Sequence, residues 1–132
     1  MSELRHVPAP PGVARGNGYS HVVSGRGRLV AVAGQVALDE HGTVVGIGDP
    51  AAQARQVFEN LRWCLAAAGA QFADVVKLGV YVTDMAYLPA LREARDAVVD
   101  PVRPPASTAV QVVALALPEF LVEVDALAVV AD

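Results

Sequence analysis

Between positions 121 and 130 the chain alternates with a period of two. Val122, Val124, Ala126, Ala128 and Val130 fall on one side, and Glu123, Asp125, Leu127 and Val129 on the other. Successive side chains of a strand point to opposite faces. This segment therefore builds a strand with one wholly apolar face and one mixed face. The apolar face has to be covered by other elements of the chain. The mixed face is poorly suited to bulk water and better suited to a subunit interface enclosing a polar cleft. A second strand, 75–83, follows the same rule. Val76, Leu78, Val80 and Val82 form its apolar side, and Lys77, Gly79, Tyr81 and Thr83 its mixed side. The open face of the resulting sheet is expected to carry Ala31, Ala33, Tyr81, Leu127 and Val129, with Gln35, Lys77, Glu123 and Asp125 embedded among them.

The covering layer is also legible. Asp49-Pro50 is a strong helix start, because Asp caps the first turn and Pro fits the first helical position. Ala54, Val57, Phe58, Leu61, Leu65 and Ala68 then recur at helical spacing until Gly69 ends the run. Trp63 falls off that stripe and is free to meet another surface. Leu88, Leu91, Ala94 and Val98 define a second amphipathic helix, closed by Asp100-Pro101. Strands are expected at 19–23 and 29–36, joined as a hairpin through the turn at 24–27. A turn at His41-Gly42 leads into a short extended piece at 43–45, and a further strand at 107–113 follows Pro104-Pro105. The proline- and glycine-rich residues 1–18 read as an arm. The order β-β-(β)-α-β-α-β-β predicts one α+β domain over residues 1–132, with two helices on one face of a mixed sheet.

Charge and composition exclude several functions. The net charge of −4 and the sequence pI near 5.2 disfavour binding to phosphate backbones. Arg26 and Arg28 form only a thin basic pair, read as a solvated hairpin tip. Cys64 is the only cysteine, and His6, His21 and His41 lie far apart, so no metal site is expected. The N-terminus lacks the apolar core of a signal peptide, and no apolar run suits a membrane span. No membrane partner and a cytoplasmic location are the resulting expectations. Hydrophobic residues reach 54% on so short a chain, which implies that some surface is buried against other subunits.

The residues that carry chemistry lie near the C-terminus. Glu123 and Asp125 share a strand face, and neighbouring carboxylates repel, which raises one pKa and creates a general acid or base. The structural alternative is an ion network with Lys77, Arg92 or Arg103. Ser107 and Thr108 open a strand, where hydroxyls bind either a ligand or local backbone. No nucleophile elbow surrounds Ser107. Gly34, in Ala33-Gly34-Gln35, either lets a ligand approach the backbone or marks a bulge. Tyr19 and Tyr81 are read as either ligand contacts or half-buried structural residues.

Several segments together resemble the Rid (YjgF-like) family over almost the whole chain. They are Gly27 to Val36 with its Ala33-Gly34-Gln35 ending, the helix from Asp49 to Gly69, Asp74 to Asp84, Pro104-Pro105-Ala106-Ser107-Thr108, and Pro118 to Val129. The resemblance implies a chorismate-mutase-like α+β fold and a homotrimer with clefts between subunits. It also implies cofactor-free hydrolysis of small imines or enamines with release of ammonia. Under this resemblance Gly34 faces the ligand with its backbone and Tyr19 edges the cleft. Asp125 takes the place of the glutamate that positions water, one methylene shorter. Ser107 stands where the family has its carboxylate-binding arginine, Ala33 replaces a serine, and Arg92 occupies a polar position in the second helix. Loss of the charged fork should weaken anion binding by about 2–5 kcal/mol, unless Arg92 or Arg103 supplies the cation. The expected function is thus a divergent deaminase-type hydrolase. Its catalytic residue is Asp125, and its substrate-binding residues are Gly34, Tyr19, Ser107, Thr108, Arg92 and Glu123. The alternative is a non-catalytic trimer that binds a small ligand or a partner. Ribonuclease activity is opposed by the acidic balance.

Overall fold

The computed structural model of the chain describes residues 3–132, so the first two positions of the N-terminal arm lie outside the described residues. Its elements are β1 (Arg5–Val7), β2 (Val22–Ser24), β3 (Arg28–Gln35), α1 (Pro50–Ala67), β4 (Val75–Val82), α2 (Leu88–Asp96), β5 (Ala106–Gln111) and β6 (Val122–Val130). The main sheet has the order β3-β6-β4-β5. β6 is antiparallel to both of its neighbours, while β5 runs parallel to β4. The fold is α+β, with α1 and α2 packed together over one face of a mixed sheet.

α1 starts where the sequence dictates. The Asp49 carboxylate accepts from the Ala52 backbone N–H at 3.1 Å, with Pro50 in the first turn. Its stripe of Ala54, Val57, Phe58, Leu61 and Leu65 is buried against Leu78, Val80, Val122, Val124, Ala126 and Ala128. Full burial of each large side chain stabilises the fold by about 1.5–3 kcal/mol. Gln53 is the polar member of this stripe and is fully buried. Its Nε2 donates to the carbonyls of Gly46 and Glu119, and its Oε1 accepts from the Leu121 N–H. One amide thus ties the loop before α1 and the entry to β6 onto the helix.

Several expectations are corrected. The arm is not wholly irregular, since Arg5–Val7 is a strand, and it pairs with β2. The predicted hairpin between 19–23 and 29–36 does not form. The Ser20 N–H donates to Pro105 O and the Ser20 hydroxyl to Pro104 O, which pins this segment to the stretch leading into β5. β5 is the sheet edge opposite β3. Arg28 is exposed but sits at no hairpin tip: its guanidinium donates to Ala68 O at the C-terminal end of α1, where a cation is favoured. The piece at 43–45 contributes only an isolated bridge from Val44 to Leu38. α2 stops at Asp96, so Val99 is buried in place of the expected Val98. β5 stops at Gln111, leaving Val113 exposed.

Two bulges shift the side-chain alternation. In β4 the register skips Val76, so Val75 takes the buried place expected for Val76. In β3, Val32 pairs with Ala126 and Gln35 with Val124, so Ala33 and Gly34 together oppose Asp125. Gln35 therefore shares the helix side with Val124 and is absent from the open face.

Candidate active site

The open face centres on two carboxylates of β6. The register sets Asp125 opposite Gly79 and Glu123 opposite Tyr81, with the β3 bulge on the other flank. The Tyr81 hydroxyl donates to Asp125 Oδ2 at 2.8 Å. This bond to a carboxylate, reinforced by burial and by the nearby negative charges, holds the Tyr81 phenol above its usual range. Partial burial pushes the Glu123 carboxyl up, and the charge of Asp125 adds to the shift. The ion network considered from the sequence is absent. Among the described residues, the ion pairs are His41–Glu40, Arg62–Glu59 and Arg95–Asp96, and none involves the β6 carboxylates.

Glycine makes room for both acids. A methyl group on Gly34 would overlap the Glu123 carboxylate. A methyl on Gly79 would overlap Asp125 Oδ1 and stand 2.9 Å from the Tyr81 hydroxyl oxygen. Neither glycine has the positive backbone φ that would itself demand glycine, so close approach is the reason for each. Below Asp125 on β4, Lys77 Nζ donates to Thr108 Oγ1 at 2.7 Å.

A groove of about 830 Å³ opens at the β3 edge, between Gly34 and Gln35 of β3 and the outer face of α1, and shares only Gly34 with this cluster. Asn60 shapes it by donating to the carbonyls of Val36 and Leu38, and Gln56 donates to Asn60. Trp63 and Cys64 complete the α1 wall. Trp63, off the core stripe, is 64% exposed and lies under the Arg62 guanidinium, 5.1 Å from its ring centre.

The expected site residues divide into two groups. Gly34, Thr108, Glu123 and Asp125 belong to the open face. Ser107 does not join them, because the β5 register pairs it with Leu78, a helix-side residue, while Thr108 pairs with Gly79. Tyr19 belongs with the segment that Ser20 pins to Pro104 and Pro105. Its ring packs edge-on against His21, with ring centres 5.3 Å apart, and Gly16 fits against it. Arg92 is half-buried on α2, one turn from Arg95, whose guanidinium reaches Gly18. Among the described residues Arg92 has no ion pair or hydrogen bond, whereas Arg103 donates to Leu4 O. Tyr19, Ser107 and Arg92 thus lie on the helix side or along the β5 edge, across the sheet from Asp125.

The sequence pattern placed Lys77 and Tyr81 on the open face but left the part of Tyr81 undecided and gave Gly79 none. A glycine inside a strand of larger side chains was the signal, since it marks close approach by a neighbour. The groove wall of Gln56 and Asn60 had no signal, because both read as ordinary polar positions of an amphipathic helix. No group of three or more His, Cys, Asp or Glu residues able to hold a metal occurs among the described residues. No helix among them is long and apolar enough to cross a membrane.

A mixed sheet roofed by two helices, with paired carboxylates on its uncovered face, defines an α+β domain of the Rid/YjgF type. The family model described as Endoribonuclease L-PSP matches residues 11–130, and the chain belongs to this family, which includes the Rid and RutC proteins. A 3-aminoacrylate deaminase, RutC, from Acinetobacter baylyi is 37% identical over 100 residues, covering 76% of this chain and 78% of its own length. A RutC family protein from Synechocystis is 36% identical over 128 residues, 96% of this chain and 93% of its own. The crystal structure of the conserved Rid family protein YyfB from Yersinia pestis superimposes with a TM-score of 0.86 at 39% identity, covering 96% of this chain and 98% of that one. The relatives thus support deaminase-like chemistry at the level of the family.

Proposed function

We propose that this protein is a deaminase-type hydrolase that opens a small imine or enamine in clefts between the subunits of a homotrimer. The observation that carries the reading is the Glu123–Asp125 pair, set on an uncovered sheet face and given room by Gly34 and Gly79. The enamine first tautomerises to its imine. The oxygen of water then bonds to the imine carbon, the C=N electron pair moves to nitrogen, and nitrogen takes a proton. Asp125 orients the water and receives its proton. The carbinolamine next breaks its C–N bond, nitrogen leaves as ammonia with a further proton, and the hydroxyl loses its proton to become the carbonyl.

The trimer accounts for the divided site. Leu29 and Leu127 on the open face are 67% and 40% exposed, an apolar surface that a second copy would cover. In a head-to-tail ring the β3 edge of one chain meets the β5 edge of the next, since these are the two edges of the sheet. Ser107, Tyr19 and Arg92 of a neighbour would then approach Gly34, Glu123 and Asp125. The neutral Ser107 selects against substrates anchored mainly by a carboxylate. Arg92, which has no ion pair or hydrogen bond among the described residues, is the cation available to hold an anionic one.

The test is ammonia release from a panel of neutral enamines and amino-acid-derived imines, with light scattering to give the assembly mass. Turnover that Asp125→Ala abolishes supports the reading. No turnover above the spontaneous rate across the panel, with saturable binding retained, would establish the non-catalytic binding trimer that the neutral Ser107 otherwise favours.

A further inference from the structure

α2 carries an arginine where its packing asks for an apolar residue. Leu88, Leu91, Arg95 and Val98 recur at helical spacing, and Arg95 is only 8% exposed, beside the buried Leu91 and Ala94. Its ionic partner is the next residue. Nε donates to Asp96 Oδ1 at 3.0 Å, and Nη2 lies 2.9 Å from the same oxygen. The Asp96 side chain is exposed, so this pair does not require a buried guanidinium, and burying a charge is costly. What Arg95 meets on its other side is the loop between β1 and β2. A methyl group on Gly18 would stand 2.6 Å from Nη2. Gly18 also has a φ of +79°, a conformation that favours glycine. Residues 8–21 form no helix or strand, and positions 11–15, 17 and 18 are exposed. The loop is fastened at its far end, where the His21 N–H donates to Pro8 O and Ser20 is bonded to Pro104 and Pro105. Tyr19 sits between Ser20 and Gly18. Its ring is half-buried among residues of the loop itself, edge-on to His21 and against Gly16, and His21 Nε2 donates to Ala14 O at 2.6 Å.

We infer that Arg95 is a positioning residue: its guanidinium, packed against Gly18, fixes the loop that carries Tyr19 and so sets where that phenol stands at the edge of the cleft. The inference rests on the proposed function, which brings Tyr19 to the substrate, and deepens it. A guanidinium is flat and rigid, and Asp96 holds its plane in place. A glycine Cα lies directly on such a surface, whereas any Cβ at position 18 would push it away. An aliphatic side chain at position 95 would stay buried against α1 and the sheet but would end short of the loop. The loop has little else to order it, because so few of its residues are covered, and a segment with few buried contacts opens easily. Arg95 thus joins the placement of Tyr19 to the end of a packed helix. Because Tyr19 borders the cleft and takes no proton in the proposed hydrolysis, its displacement acts on substrate binding rather than on the chemical step.

Two measurements on the full-length protein test this. Hydrogen exchange read by mass spectrometry reports the loop directly. Arg95→Leu, which suits so buried a position, should speed exchange of residues 9–21 about tenfold or more and leave α1 and the sheet unchanged. Gly18→Ala should do the same from the other side of the contact, with Arg95 intact. The second measurement is ammonia release from 3-aminoacrylate and from a neutral enamine. Each variant should raise KM about fivefold to tenfold, with kcat within about twofold. Tyr19→Ala should raise KM by at least as much, and adding Arg95→Leu to it should change KM by less than about twofold, because the two residues act as one unit. Unchanged exchange of residues 9–21 in both variants overturns the inference. KM effects of Arg95→Leu and Tyr19→Ala that multiply in the double variant also overturn it. Faster exchange throughout α2 and the sheet, with a fall in melting temperature, assigns Arg95 a purely structural role and overturns it too. Wild-type protein without turnover defeats the hydrolase reading, and exchange of residues 9–21 still decides whether Arg95 fixes the loop that carries Tyr19.

Discussion

β6 presents two faces made of alternate residues of one strand, and they are finished by different means. On the helix side Val122, Val124, Ala126 and Ala128 are at most 2% exposed, closed over by α1 from the same chain. On the open side Glu123, Asp125 and Leu127 lie two residues apart along the strand, and Leu127 is left 40% exposed. The first face is satisfied by packing alone and tolerates no polar group without a partner, as the fully bonded Gln53 illustrates. The second keeps two carboxylates that, among the described residues, form no ion pair, an arrangement that packing would not select. The difference separates residues that hold the fold from residues that packing within the chain leaves available.

The largest expected effect lies on the helix side. Phe58→Ala should cost about 3–5 kcal/mol of unfolding free energy in urea titration, because its ring is fully enclosed. A loss below about 1 kcal/mol would break the assignment of stability to that face. On the open side, Leu127→Lys should leave the secondary structure intact by circular dichroism and reduce the light-scattering mass to that of a single chain. Unchanged mass would mean that this face is not the interface. Gly34→Ala should lower ammonia release about tenfold or more by displacing the Glu123 carboxylate, and should barely move the melting temperature. Equal activity would remove Glu123 from the site.

The smallest effect is a pH dependence. The Glu123 carboxyl is raised in the fold, so its contribution to stability is fully present below its unfolded value near 4.5 and is lost as pH rises through the folded value. Glu123→Gln should therefore be nearly neutral toward melting at acid pH and stabilising at neutral pH. Stabilisation confined to acid pH would reverse the assigned direction.

The period-two and helical patterns made the α+β class, the span of α1 and the mixed open face readable, since alternation and heptad-like spacing are local properties of the backbone. The Glu123–Asp125 pair was readable for the same reason. Three features were decided elsewhere in space. β2 joined β1 because Ser20 is bonded to Pro104 and Pro105. The hairpin that its sequence neighbourhood suggested therefore lost to contacts made far along the chain. Gln35 left the open face because the bulge at Ala33 and Gly34 advances the register by one residue, and one residue turns a side chain to the other side. Ser107 and Thr108, adjacent in sequence and grouped as one ligand-binding pair, were separated by the pleat once β5 paired with β4. The sequence by itself determined which residues are apolar at which period, hence which elements form and which side of each seeks cover. Only the tertiary structure decided which strands pair and where the register slips, because those choices depend on hydrogen bonds closed between segments distant along the chain.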